Sequence, residues 1–240
     1  MCTAVAWPLP DGYVLAFNRD ELLSRPAALP PARFGPYLAP IDPEGGGTWL
    51  ATNTSGLTLV ALNVYEAAQR APVPPIRSRG LLVTDLADAR SLPELAARVR
   101  AHPDLPHTRP FHLLAIGTQR EALDARWDGE TLAVTPATLP LLRVSAAFEP
   151  VAVRAARELE FQSLQADLRD TPDVAQTLRT WFASHALNGA PRGTCMHREP
   201  FAATVSHTQV HARAAATAVR YVAGAPCQEV PVFSCEIARS

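Results

Sequence analysis

The sequence predicts an α+β protein in which helix pairs pack outside mainly antiparallel sheets. Two observations carry this. Strand-like and helix-like runs come in blocks, β-rich, αα, β-rich, αα, β-rich, and strands far outnumber strand–helix–strand units, which disfavours a doubly wound parallel sheet. The chain also opens on a hairpin signature, with 2–7 and 13–18 as strands around the Pro10-Asp11-Gly12 turn. Residues 22–47 read as an irregular, proline-rich connection ending in Gly45-Gly46-Gly47. Strands follow at 48–52 and 57–64 around an Asn53-Thr54-Ser55-Gly56 turn, and Pro72, Pro74 and Pro75 mark a second loop. Segments 78–90 and 92–101 are expected helices, with Ser78 and Ser91 placed as N-caps. Runs at 111–117, 123–127, 131–135 and 141–144 are short strands separated by turns such as Asp128-Gly129. Helices are expected over about 150–168 and 173–186, and in the first of them Val151, Ala155, Leu159 and Ala166 recur near helical spacing. The last block returns to strands at 203–211, 214–223 and 229–236.

At 240 residues, with 48% hydrophobic and 19% charged side chains, the chain can build one sizeable core, so a single domain over 1–240 is expected and a disordered chain is excluded. It contains no apolar run of the ~18 residues needed to span a membrane. A net charge of −1 gives no general reason to expect nucleic acid or anionic lipid as partner; a small molecule is the expected one. All 22 basic residues are Arg. The absence of Lys excludes Schiff-base lysines, P-loop lysines and Ser–Lys dyads. The Arg bias, with abundant Ala and Pro, points to a GC-rich bacterial genome. Met1-Cys2-Thr3-Ala4-Val5-Ala6-Trp7 has no basic segment leading into an apolar one, so a cytoplasmic location is expected. In that reducing setting Cys2, Cys195, Cys227 and Cys235 are expected as thiols, with Cys195 and Cys227 as small hydrophobes in or near the core.

Cys2 carries the most chemistry. Methionine aminopeptidases remove Met1 before a small residue, leaving a thiol and a free α-amine on one residue. That amine has a pKa of roughly 7.7–8.0 and can take the thiol proton, so the nucleophile carries its own base. Asn18-Arg19-Asp20-Glu21 closes the second strand of the hairpin, which brings Asp20 near Cys2. A carboxylate there orients the amine, and an Arg favours thiolate.

These motifs, with Arg25-Pro26, Pro31-Ala32, Gly46-Gly47-Thr48-Trp49-Leu50, Asn53 with Gly56, and Ser78-Arg79-Gly80, resemble the NRDE family, that of the transport-and-Golgi-organisation proteins and their bacterial relatives. Cys195-Met196-His197, Thr204-Val205-Ser206 and Gly224-Ala225-Pro226-Cys227 resemble its short bacterial branch. The family is similar to N-terminal-nucleophile (Ntn) hydrolases with a Cys nucleophile, such as penicillin V acylases and bile salt hydrolases. The resemblance implies a four-layer αββα sandwich, with Cys2 as nucleophile and Asp20 beside its amine. Those relatives have an Arg-Asn-x-Asp order, so Arg19 here is shifted along the strand and is expected on the other face. The stretch from Thr52 to Asn63 resembles the acylases' strand-turn-strand and gives Asn63 the oxyanion role. A later acylase Asn has no counterpart in Val144-Ser145-Ala146-Ala147, where Ser145 is the candidate substitute donor.

The expectation is therefore an Ntn-type hydrolase of a non-peptide amide or acyl bond, with catalytic Cys2, Asp20, Asn63 and Arg19 and with Asn18, Glu21 and Arg79 at the substrate. Arg79 is placed either to bind a substrate carboxylate or to pair with Glu21. No cofactor is expected. The alternative is a non-catalytic binding or trafficking protein on the same fold for haem or an acyl or lipid metabolite; for haem, Cys2 or Cys195-Met196-His197 are the candidate iron ligands. Cys195, His197, His207 and His211 match no zinc-finger spacing, so no metal site is expected.

Overall fold

Strands β1 (Cys2–Leu9) and β2 (Gly12–Leu22) are apolar on both faces, which forces them into the middle of a layered structure. The computed structural model describes residues 2–70, 76–185 and 193–239. In it, Ala4, Ala6, Tyr13, Leu15 and Phe17 face a second sheet, and Val5, Trp7, Val14 and Ala16 face helices. Period-two alternation of a strand apolar on both sides gives this division directly.

The first sheet has the order β10 (Leu141–Ser145), β1, β2, β12 (Ala202–Arg213), β13 (Ala216–Val222), β14 (Val232–Ala238), with the two-residue β11 (His197–Arg198) paired to β12. The second is a meander of β3 (Leu29–Phe34), β4 (Tyr37–Ile41), β5 (Leu50–Asn53), β6 (Thr58–Asn63), β7 (Phe111–Ile116), β8 (Glu121–Trp127) and β9 (Leu132–Thr138). Every described pairing between these strands is antiparallel. Helices α1 (Arg79–Leu86) and α2 (Leu92–Arg100) cover the outside of the second sheet through Leu82, Leu86, Leu95 and Val99. Helices α3 (Pro150–Asp170) and α4 (Val174–Phe182) cover the first sheet through Phe161, Leu164, Leu168, Leu178 and Phe182. The result is the expected αββα layering.

Ser78 and Ser91 cap α1 and α2 by accepting from Gly80 N (3.2 Å) and Glu94 N (3.2 Å), as the sequence predicts. Two expectations are corrected. The proline-rich 22–47 stretch contains β3 and β4. Pro30 and Pro31 fit because β3 is the edge strand of its sheet, where a missing N–H faces no partner, and the pairing with β4 shifts register across them. The stripe Val151, Ala155, Leu159, Ala166 is the solvent side of α3: Val151 is 81% and Leu159 64% exposed. The buried side, at the same helical period, is Val153, Arg157, Phe161, Leu164 and Leu168, where the bulk of Phe161, Leu164 and Leu168 packs on β1 and β2 and carries Arg157 in with it. Helix α4 ends at Phe182, and residue 186 of its expected extent lies outside the described residues.

Candidate active site

The hairpin register decides the site. Cys2 lies directly opposite Arg19 on β2 and opposite Ser145 on β10. Directly paired residues of an antiparallel ladder share a face. Cys2 and Arg19 therefore point together between the sheets, continuing the Ala4, Ala6 and Tyr13, Leu15, Phe17 rows. The expectation that Arg19 turns to the other face is corrected by this register. Arg19 is 5% exposed, lies over the Trp49 ring at 4.4 Å, and pairs with Glu21 (3.2 Å) and Asp42 (3.5 Å).

Asn18 is the residue that turns away. It is fully buried on the helix side, where its Nδ2 donates to the carbonyls of Phe182 (2.9 Å) and Thr194 (2.8 Å) and its Oδ1 meets His207 Nδ1 at 2.8 Å. The fold thus does not bring Asn18 to a substrate; it is an internal tie between β2, α4 and the segment before β11. His207, for its part, is buried against Phe182, and burial pulls its pKa down to about 3, so it stays neutral.

Asp20 follows the same rule. Its side chain faces α3, accepts from Thr204 Oγ1 at 2.6 Å, and lies 3.9 Å from Arg157 of that helix. Its backbone remains beside Cys2, one position past the Cys2–Arg19 pair. Burial pushes the Cys2 thiol above its ordinary value and the Asp20 charge adds to the rise, while the Asp20 backbone N–H and the Arg19 charge oppose it.

Cys2 opens into a cavity of about 350 Å³ that Arg19, Glu21, Asn63 and Arg79 also line. One wall is made by the glycine run. A Cβ on Gly47 would meet the Gly80 backbone at 2.3 Å, so only glycine lets this turn close on the start of α1, where Thr48 N donates to Gly80 O at 3.1 Å. Asn63 ends β6 with its Nδ2 donating to Tyr65 Oη at 2.8 Å. Ser145 donates to the Asn63 carbonyl at 2.7 Å, so its hydroxyl holds Asn63 rather than facing the cavity. Tyr65 was not foreseen. Its pKa is raised by burial, then by Cys2, which places the phenol near the thiol. An aromatic two residues after Asn63 was the available signal.

The cavity's charges are uneven. Arg25 is matched by Asp42 (2.6 Å) and Glu44 (3.0 Å), and Arg77 by Asp85 (2.6 Å) and Asp104 (3.3 Å). Arg79 donates to the Pro110 carbonyl at 3.2 Å, and among the described residues no carboxylate pairs with it or with Arg109. Glu21 pairs with Arg19 and Arg25, not with Arg79. A second cavity of about 270 Å³ shares Asp20 and Glu21 with the first and is lined by Leu22, Phe148, Met196 and Phe201.

The sequence matches the family model described as Transport and Golgi organisation 2 over residues 1–134. No curated protein matches it. Among solved structures, a mutant conjugated bile acid hydrolase from Clostridium perfringens is similar at TM-score 0.65 and 10% identity, covering 99% of this chain and 92% of that one. Penicillin V acylase from Agrobacterium tumefaciens is similar at TM-score 0.62 and 11% identity, over 99% and 86% of the two chains. The Caenorhabditis elegans ortholog of N-acylethanolamine-hydrolyzing acid amidase is similar at 0.57 and 11%, over 87% and 92%. The fold is that of Ntn hydrolases.

Proposed function

This chain belongs to the Transport and Golgi organisation 2 family, and from that premise we propose that it is an Ntn-type hydrolase of a small amide or related acyl compound, with Cys2 as nucleophile. The observation that carries the reading is the convergence of Cys2, Arg19 and Asn63 on one cavity through the register of β1 and β2. With Met1 removed, the Cys2 amine takes the thiol proton and the sulfur attacks the acyl carbonyl. Asn63 has two N–H donors. Tyr65 takes one and fixes the amide plane, and the other is offered to the developing oxyanion. The ammonium then protonates the leaving amine, and water activated by the same amine releases the acyl group from the thioester. No cofactor enters these steps. A cytoplasmic, reducing location keeps the thiol free.

The two cavities argue for an amphipathic substrate. Arg79 and Arg109 supply positive charge that pairs with no carboxylate among the described residues, and burial pulls the Arg79 pKa down, a cost that a bound anion reverses. Leu22, Phe148, Met196 and Phe201 offer the apolar half. The test is hydrolysis of a panel of N-acyl amides with and without a terminal carboxylate. The carboxylated members are expected to turn over. Asn63→Ala should lower kcat by about 10²–10³ with little change in KM. Arg79→Gln should raise KM by about 10- to 100-fold for carboxylated substrates only, the worth of a charge-assisted bond. A parent enzyme that turns over charged and neutral amides equally, or an Arg79 variant that keeps the parent's preference for the carboxylated ones, would remove the anionic assignment.

A further inference from the structure

Away from Cys2, the fold assembles four residues that the sequence scatters. His185 follows α4, Cys195 precedes β11, His197 lies in β11, and Cys227 sits in the connection between β13 and β14. Their ligand atoms all lie within 4.8 Å of one another, the one such group among the described residues. Cys195 Sγ is 3.6 Å from Cys227 Sγ and 3.6 Å from His197 Nε2, and His197 Nε2 is 3.2 Å from Cys227 Sγ. Tetrahedral zinc, with bonds of ~2.3 Å to sulfur and ~2.0–2.1 Å to nitrogen, holds its ligand atoms roughly 3.3–3.8 Å apart, close to the 3.2–3.6 Å edges among Cys195, His197 and Cys227. His185, its ring 4.9 Å from that of His197 and a ring nitrogen within 4.8 Å of the other three ligand atoms, is in reach of the fourth corner.

We propose that His185, Cys195, His197 and Cys227 form a Cys₂His₂ site for Zn²⁺. Two thiolates and two imidazoles suit zinc and exclude the hard cations Mg²⁺ and Ca²⁺. Four protein ligands close the coordination sphere, so the site is structural and not a second reaction centre. The outer partner is present as well: Glu199 Oε1 lies 3.0 Å from His197 Nδ1, which leaves Nε2 as the metal-facing nitrogen. Cys195 is buried, whereas His185 and Cys227 are exposed, giving the ion a way in. The spacing of Cys195, His197, His207 and His211 argued against a metal because two of those four are the wrong residues. The missing ligands come from positions 185 and 227, which only the tertiary fold supplies.

The site lies behind Asp20. Met196, between two of the ligands, has its N–H accepted by Thr204 Oγ1 at 2.8 Å, and that hydroxyl donates to Asp20 Oδ1 at 2.6 Å. Zinc would tie the end of α4, β11 and the β13–β14 loop into one support for this chain of bonds. The inference does not depend on the reading of Cys2.

The test is metal titration of the full-length protein, purified under reducing agent and stripped with a chelator. Zn²⁺ should bind once per chain in competition with a chromophoric chelator. Co²⁺ should give tetrahedral d–d bands and a thiolate-to-cobalt charge-transfer band. Cys227→Ser, a change in an exposed loop, should diminish that band, Glu199→Gln should weaken metal affinity by about 10- to 100-fold, and Cys235→Ser should change neither. The proposal is overturned by sub-stoichiometric binding, by a cobalt spectrum without the thiolate band, or by a reduced-buffer preparation lighter by two thiol hydrogens, which would make Cys195 and Cys227 a redox pair.

Discussion

Replacing Cys2 with alanine is expected to abolish labelling by an acyl electrophile and to lower amide hydrolysis by at least ~10³-fold. The environment of the thiol sets the details. Burial raises its pKa, so at neutral pH it is held as the thiol and needs a base in place before it can attack. Arg19 is on the same face but already pairs with Glu21 and Asp42, which limits the charge it lends to sulfur. The freed α-amine is then the base, and the labelling rate should rise with pH through the amine's range of roughly 7.7–8.0. Intact-mass measurement reads both requirements. The expected result is a chain lacking Met1 that takes one rapid adduct, absent in the Cys2→Ala variant. A form that retains Met1 and still turns over fully would sink this mechanism. Haem capture that survives Cys2→Ser, without any adduct, would favour the binding protein.

Arg157→Met is expected to destabilise the fold by about 3–5 kcal/mol, the cost of leaving a buried charge without its partner. Arg157 is fully buried in the core-facing stripe of α3. Its guanidinium donates to Thr3 Oγ1 and to the Gly193 carbonyl at 2.7 Å, and it lies 3.9 Å from the buried Asp20 carboxylate. One side chain thereby joins β1, β2, α3 and the segment leading to β11. Methionine preserves much of the volume but answers neither the carboxylate nor the carbonyl. For a chain of this size the loss corresponds to a Tm lower by about 6–20 °C in thermal unfolding. Combining it with Asp20→Asn should recover part of the loss, because the stranded charge is then gone. A single variant within 2 °C of the parent (about 1 kcal/mol or less) would show that the buried pair contributes little.

Much of the site was legible because it rests on a hairpin. A two-residue turn, Pro10-Asp11, between the paired Leu9 and Gly12 and two apolar strands bring the 18–21 segment beside Cys2, and the strand-end position of Asn63 brings it to the same cavity. The face of each residue was less legible. Arg19 and Asn18 exchange their expected sides because the pairing of Leu9 with Gly12 at the turn fixes Cys2 opposite Arg19, and a register of one residue inverts every side chain. Arg157 was hidden for a related reason. Both sides of α3 carry apolar residues at helical spacing, and only the packing of Phe161 and Leu164 against β1 and β2 selects one.

Composition, block order and the first hairpin by themselves determined the α+β class, the exclusion of lysine chemistry and the placement of Cys2 among charged residues. These features are local, and short-range geometry is written in neighbouring residues. Tertiary structure alone decided that Asp20 leans on Arg157 137 residues away in sequence, that Arg79 and Arg109 pair with no carboxylate among the described residues, and that His185, Cys195, His197 and Cys227 converge. Such contacts arise only when the sheets stack and the helices close over them, because strand pairing and layer packing, rather than sequence spacing, set the distance between residues far apart along a chain.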